Sequence, residues 1–162
     1  MKKRDGFVIG FSVITIFLFV LVYPYRIHAY LNGMPADLVI WQASFTANSR
    51  DQGGSAGAAT IDDPKGLVVV GTKLIVADEG NNRVLIFNFL PTVNNQSADV
   101  VIGQASFSGS LANRGGAVAA NTLNQPYDVT TDGTKLFITD SGNNRILIYN
   151  SLPAVNGASA DV

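Results

Sequence analysis

Asp78, Asn81 and Arg83 lie within six residues of one another, and the same triplet returns as Asp140, Asn143 and Arg145. A carboxylate, an amide and a guanidinium at this spacing can do two kinds of chemistry. Repeated across an assembly, the acids and amides could line a ligand or calcium site. Alternatively, each Asp accepts from turn amides and faces its Arg, as short polar side chains do in turns, so that each set stitches a turn. Identity between the copies favours stitching, because a folding module needs the same residues each time whereas a binding site tends to vary. Gly80 and Gly142 fall inside the same turns and are expected at positive φ, which other residues reach only at a cost.

The rest of the chain offers little for catalysis. Cysteine is absent and the one histidine, His28, precedes the repeated region. Thiol nucleophiles, disulfides and a zinc site built from His and Cys are therefore excluded from the repeats. The Asp62-Asp63 pair becomes Asn124-Gln125 in the second copy, a weak pattern for oxygen-ligated calcium. No nucleophile elbow, phosphate loop or dinucleotide fingerprint is present. No catalytic residue, cofactor or metal ligand is assigned, and the chain by itself is not expected to be an enzyme. Charged residues make up 14% of the sequence and the net charge is −1, which leaves no nucleic-acid footprint.

The elements that must position these residues are themselves repeated. Residues 36–97 align with 98–159 without a gap at an offset of 62, and 30 of the 62 pairs are identical. A third copy starts at Ala160. Each repeat reads as short strands between turn signals. Gly66–Val70 and Lys73–Ala77 are apolar runs joined by Gly71-Thr72, which suits a tight hairpin. Arg83–Asn88 is rich in β-branched and aromatic residues, and Asp99–Gly103 is a fourth, outer strand after a loop of about ten residues. Four strands with hairpin connections describe an up-and-down sheet, and side-by-side repetition of such sheets is the β-propeller arrangement. The expected fold is all-β: two four-stranded antiparallel blades, with a leading outer strand over Asp37–Trp41, in an incomplete ring.

Residues 1–30 are of another kind. Lys2, Lys3 and Arg4 precede an uncharged stretch over residues 6–25, an order that sends the downstream chain across the membrane. Its length suits a membrane-spanning helix, while Pro24 and the run ending at Ala29 also suit a cleaved signal. Both alternatives stand, a retained anchor or a secreted or periplasmic product. In either case residues 31–162 are exported.

The segments "ADEGNNRVLIFN" and "TDSGNNRILIYN" resemble the NHL repeat, a propeller-blade motif, over about residues 66–103 and 128–162. No His occupies the position that the motif's name leads one to expect, and the period is long for a compact blade. The resemblance implies an exported bacterial propeller of about six blades that serves as a binding platform. The partner it implies is a protein, peptide or glycan of unknown identity.

Where the copies differ is more telling for recognition. The connections over residues 42–63 and 104–125 are long, share a face with the stitched turns, and carry Asn48, Arg50, Asp51 and Gln52 against Ser110, Asn113 and Arg114. Long connections in compact domains tend to be functional or mobile, so these seven residues form the candidate recognition face. Gln42 and Gln104 are expected to bond the connection's backbone, and Phe45 and Phe107 to pack it down. Trp41, the only Trp, is expected to cap a neighbouring blade. Two repeats cannot close a ring. The sequence is therefore expected to be part of a longer propeller or, alternatively, to close one by homo-oligomerisation, three copies supplying six blades, or to belong to a propeller enzyme whose catalytic residues lie beyond residue 162.

Overall fold

The computed structural model describes residues 33–162. The apolar stretch 6–25 and His28 lie outside the described residues, and among these no helix is long and apolar enough to cross a membrane. Residues Pro35–Val162 form one compact body.

The first repeat folds as an antiparallel meander of β1 (Pro64–Val70), β2 (Lys73–Asp78), β3 (Arg83–Phe87) and β4 (Val100–Ile102), hydrogen-bonded in that order. The second gives β5 (Pro126–Thr131), β6 (Leu136–Asp140) and β7 (Arg145–Tyr149). The register is copied as well: Asp78 lies opposite Arg83 and Asp140 opposite Arg145. Outside the strands the described residues form only short 3-10 turns, at Arg50–Gly53, Ala112–Gly115 and Ser141–Asn143. The described residues thus form an all-β structure of two antiparallel sheets.

Two expected strands are not formed. Asp37–Trp41 is irregular, because no neighbouring strand edge is available to it among the described residues. Val39 instead accepts from Asn95 N at 3.0 Å and donates to Asn94 Oδ1 at 3.0 Å. Likewise the second sheet has three strands rather than four. Ala160–Val162 does lie along β7, with Ile148 N donating to Val162 O at 2.8 Å and Asp161 N to Ile148 O at 2.9 Å, but the ladder stops there.

Alternation along each strand gives every sheet two faces. One face of the first sheet presents Ile75, Ala77, Val84, Ile86, Val100 and Ile102. It packs against Val129, Leu136, Ile138, Leu147 and Tyr149 of the second sheet, together with Leu123 of the long connection, and all of these are buried in one core cluster. The sheets approach closely at β1 and β5: a Cβ on Gly66 would lie 2.8 Å from Asp128 Cα, so only glycine fits. The opposite face of the first sheet, Leu74, Val76, Leu85 and Phe87, forms a second cluster with Ile40, Trp41 and Ile61. Trp41 is buried and its ring sits 5.2 Å from that of Phe87.

Candidate functional site

The repeated triplets are internal fasteners. Asp78 accepts from Arg83 Nε at 2.6 Å, from Asn81 Nδ2 at 3.1 and 3.2 Å, and from the backbone N–H of Asp62 at 2.9 Å. Arg83 Nη2 reaches the carbonyls of Gly57 (3.1 Å) and Thr60 (3.0 Å). The second set copies this: Asp140 accepts from Arg145 Nε (2.7 Å), Asn143 Nδ2 (2.8 Å) and Asn124 N (2.7 Å), while Arg145 Nη2 donates to Ala119 O and Thr122 O, both at 2.8 Å. Each knot ties the long connection to the end of the β2–β3 or β6–β7 hairpin. Asp78 is fully buried, and desolvation pushes its carboxyl above the usual carboxylate range while Arg83 pulls against that rise. An acid whose oxygens are all taken by its own chain has no valence left for a ligand.

Gly80 and Gly142 do not take positive φ; that conformation falls two residues on, at Asn82 (φ 53°) and Asn144 (φ 53°). The glycines are needed for proximity instead. A Cβ on Gly80 would sit 2.5 Å from Asp62 Cγ, and one on Gly142 would sit 2.5 Å from Asn124 Cγ, because the connection lies directly on the turn. Gly80 N donates to Asp62 O and Gly142 N to Asn124 O.

The long connections are more ordered than their composition suggests. Both contain two consecutive non-glycine residues in the left-handed region, Asp51 (φ 44°) with Gln52 (φ 56°), and Asn113 (φ 51°) with Arg114 (φ 57°). The kink is held by Asp51 N donating to Ile61 O at 3.0 Å and Asn113 N to Leu123 O at 2.9 Å. Most of the candidate recognition residues are engaged within the chain. Asp51 accepts from Asn81 Nδ2 (2.9 Å), and Asn113 exchanges bonds with Asn143. Gln52 donates to Ala59 O and Asn95 Oδ1, both at 2.6 Å, and Arg114 donates to Gly103 O and Gly157 O. The carbonyl of Ser110 accepts from Asn82 Nδ2 at 2.9 Å. Asn48 and Arg50 remain exposed. Arg50, its side chain 80% exposed, contacts Asp62 at 3.2 Å.

Gln42 and Gln104 bond the connection backbone as expected, donating to Ser49 O and Leu111 O, both at 2.9 Å. The phenylalanines diverge. Phe107 packs against the core cluster of the first sheet and its carbonyl accepts from Arg83 Nη1, whereas Phe45 is exposed.

Where the repeats meet, on the face of the hairpin turns, a polar cleft of about 370 Å³ opens between Arg50, Asp63, Glu79, Asn82, Asn124 and Gln125. Lys65 stands at its side, 2.9 Å from Asp63 and 3.2 Å from Glu79. The Lys65 ammonium lowers the pKa of the Asp63 carboxyl, and both acids raise that of Lys65. Of the seven candidate recognition residues only Arg50 lines this cleft. Asp63, Asn124 and Gln125 entered the sequence reading only as a weak calcium pattern, and Glu79 and Asn82 were not singled out there. No group of three or more His, Cys, Asp or Glu side chains arranged for a metal ion occurs among the described residues.

Neither a scan against protein-family models nor a search of curated proteins finds a match to this chain.

Proposed function

We propose that the chain is an exported or membrane-anchored NHL-type propeller segment that acts as a binding or scaffold module for a protein, peptide or glycan, with the polar cleft between the repeats as its recognition site. One observation carries this reading. The Asp, Asn and Arg that fasten each turn are the same in both copies, whereas the charged residues lining the cleft are not: Arg50 is matched by Ala112, Asp63 by Gln125 and Glu79 by Ser141, while Asn82 is kept as Asn144. Freedom from the folding requirement is what a recognition surface needs.

The cleft offers a guanidinium, two carboxylates and several amides, a mixed polar set suited to uncharged or zwitterionic groups with many hydroxyls or amides. Its volume is at the lower end of the range for small-ligand sites. The test is an array of glycans and short peptides probed with the full chain, followed by titration of the best ligand into wild type, Arg50→Ala and Glu79→Gln. Loss of at least tenfold in affinity in either variant is expected. Binding that both variants leave intact, or no binding across the array, would overturn the assignment.

A further inference from the structure

The two ends of each sheet differ in kind. The turn between β2 and β3 borders the polar cleft, whereas the loop between β3 and β4 starts at the other end of the same hairpin, where Phe87 lies opposite Leu74. Strand β2 has 6 residues, so the two ends stand about 20 Å apart. We infer that the loop end rests on the lipid surface in which the leader is anchored, with Phe89, Val93 and Val155 entering the apolar edge of the bilayer and the cleft turned away from it. The inference rests on the membrane-anchored form of the reading above.

Phe89 is 71% exposed, Val93 58% and Val155 66%. These places stay open whichever neighbouring repeat is present. Val93 is exposed with the second repeat following it, and Val155, its counterpart at an offset of 62, with the first repeat preceding it. Phe89 and its counterpart Ser151 are exposed in the same two settings. Leu90 is different, because Leu152 at its place packs against the core cluster, and it is no part of the docking set. Both loops are braced. Asn88 N donates to Asp99 Oδ2 at 2.7 Å and Thr92 N to Gln96 Oε1 at 3.0 Å. In the second loop Asn150 N donates to Asp161 Oδ2 at 2.7 Å, and Asn156 Oδ1 accepts from Val101 N at 3.0 Å. Apolar side chains are thus held outward on fixed loops.

The leader is what makes lipid the partner. Residues 6–25 are uncharged and long enough to span a bilayer, and the chain that follows them reaches Val39, which bonds Asn94 and Asn95 of the first loop. From residue 25 to Val39 the extended chain measures at most about 50 Å. A retained leader therefore keeps this loop near the bilayer at an effective concentration on the order of mM. Three side chains are too few to hold a free protein on a membrane, where even one myristoyl chain binds only marginally. On a tether they need only select which end faces the lipid. Charge favours apolar insertion over attraction to anionic headgroups, since the loops and hairpins at this end carry Lys73 and Lys135 against Asp99, Asp132 and Asp161. Lys73 is bonded to Asn88, and the three acids accept from backbone N–H groups.

The chain has no cysteine, so Val93→Cys, Val155→Cys and Ser141→Cys each give a single site for an environment-sensitive fluorophore. Ser141, the exposed counterpart of Glu79 in the β6–β7 turn, reports the cleft end. The full chain is reconstituted into phosphatidylcholine vesicles, recovered by flotation, and compared with the same chain in vesicles of brominated phosphatidylcholine. Quenching by bromine at 93 and 155 is expected to exceed that at 141 by roughly threefold or more, with or without added anionic lipid. Phe89→Ser, which copies the second repeat and so suits the fold, should remove most of the quenching at 93. Labels at 93 and 155 quenched no more than the one at 141 would overturn the inference while the anchored reading stands. Quenching that Phe89→Ser leaves unchanged, or that appears only with anionic lipid, would do the same. A chain that does not float with the vesicles would overturn the anchored reading and the inference with it.

Discussion

The two Asp–Arg knots have the same residues and nearly the same bonds, yet they sit in different surroundings. Asp78–Arg83 is covered by the second repeat, and both side chains are wholly buried. Asp140–Arg145 has no repeat over it among the described residues, and the Arg145 side chain is 25% exposed. One sequence clause therefore makes an interior ion pair in one place and a partly wet one in the other. The local motif sets which groups meet; the neighbouring repeat sets how much it matters that they do.

The largest effect should come from breaking that contrast directly. Arg83→Met leaves Asp78 buried without its cation and is expected to cost about 3–5 kcal/mol, whereas Arg145→Met loses charge-assisted bonds at a wetter site and should cost roughly 1–3 kcal/mol. Urea unfolding followed by the fluorescence of Trp41, the only Trp, compares the two, and equal losses would dissolve the distinction. Next come the glycines: Gly80→Ala and Gly142→Ala both drive a methyl into the connection above and should each lose about 1–3 kcal/mol in the same assay. A loss there, with no positive φ involved, separates crowding from backbone strain.

Smaller effects sharpen the comparison. Asn82→Ala removes two side-chain bonds between the repeats and should lower stability by about 1–2 kcal/mol more than Asn144→Ala does, the two sharing the cost of placing alanine at a left-handed φ of 53°. The smallest concerns the first hairpin of each sheet. Asp132 accepts from the backbone N–H groups of Thr134 (2.9 Å) and Lys135 (2.7 Å), which lowers its pKa; Val70 stands at that place in the first repeat. A lowered folded-state pKa means that this contribution is present above the ordinary value of 3.8 and is lost as pH falls through the lowered one. An NMR titration of the Asp132 carboxyl should show a midpoint under 3.8.

Strands β1, β2 and β3 were legible in the sequence to within about two residues, because runs such as Leu67–Val70 and Val84–Phe87 are bounded by turn residues on both sides. The triplets were legible as fasteners from their repetition. The role of Gly80 was not: its requirement comes from Asp62, eighteen residues away, and nothing local announces that contact. The kinked connections were missed because their shape is the same while their residues differ, Asp51-Gln52 against Asn113-Arg114. The shared signal was Gly53-Gly54 and Gly115-Gly116 just after each kink. Phe45 and Phe107 read alike and end differently, since among the described residues only Phe107 has a preceding sheet to rest on. A motif reports its own bonds well and its neighbours poorly.

Trp41 and Gly103 hold equivalent places, and both have left-handed backbones, at φ 60° and 86°. Gly103 leaves room for Leu123, which would otherwise clash with a Cβ at 2.5 Å; Trp41 fills its own surroundings with an indole. A joint whose main-chain shape survives exchange of the bulkiest residue for the smallest can be inherited unchanged when a gene lengthens by duplication.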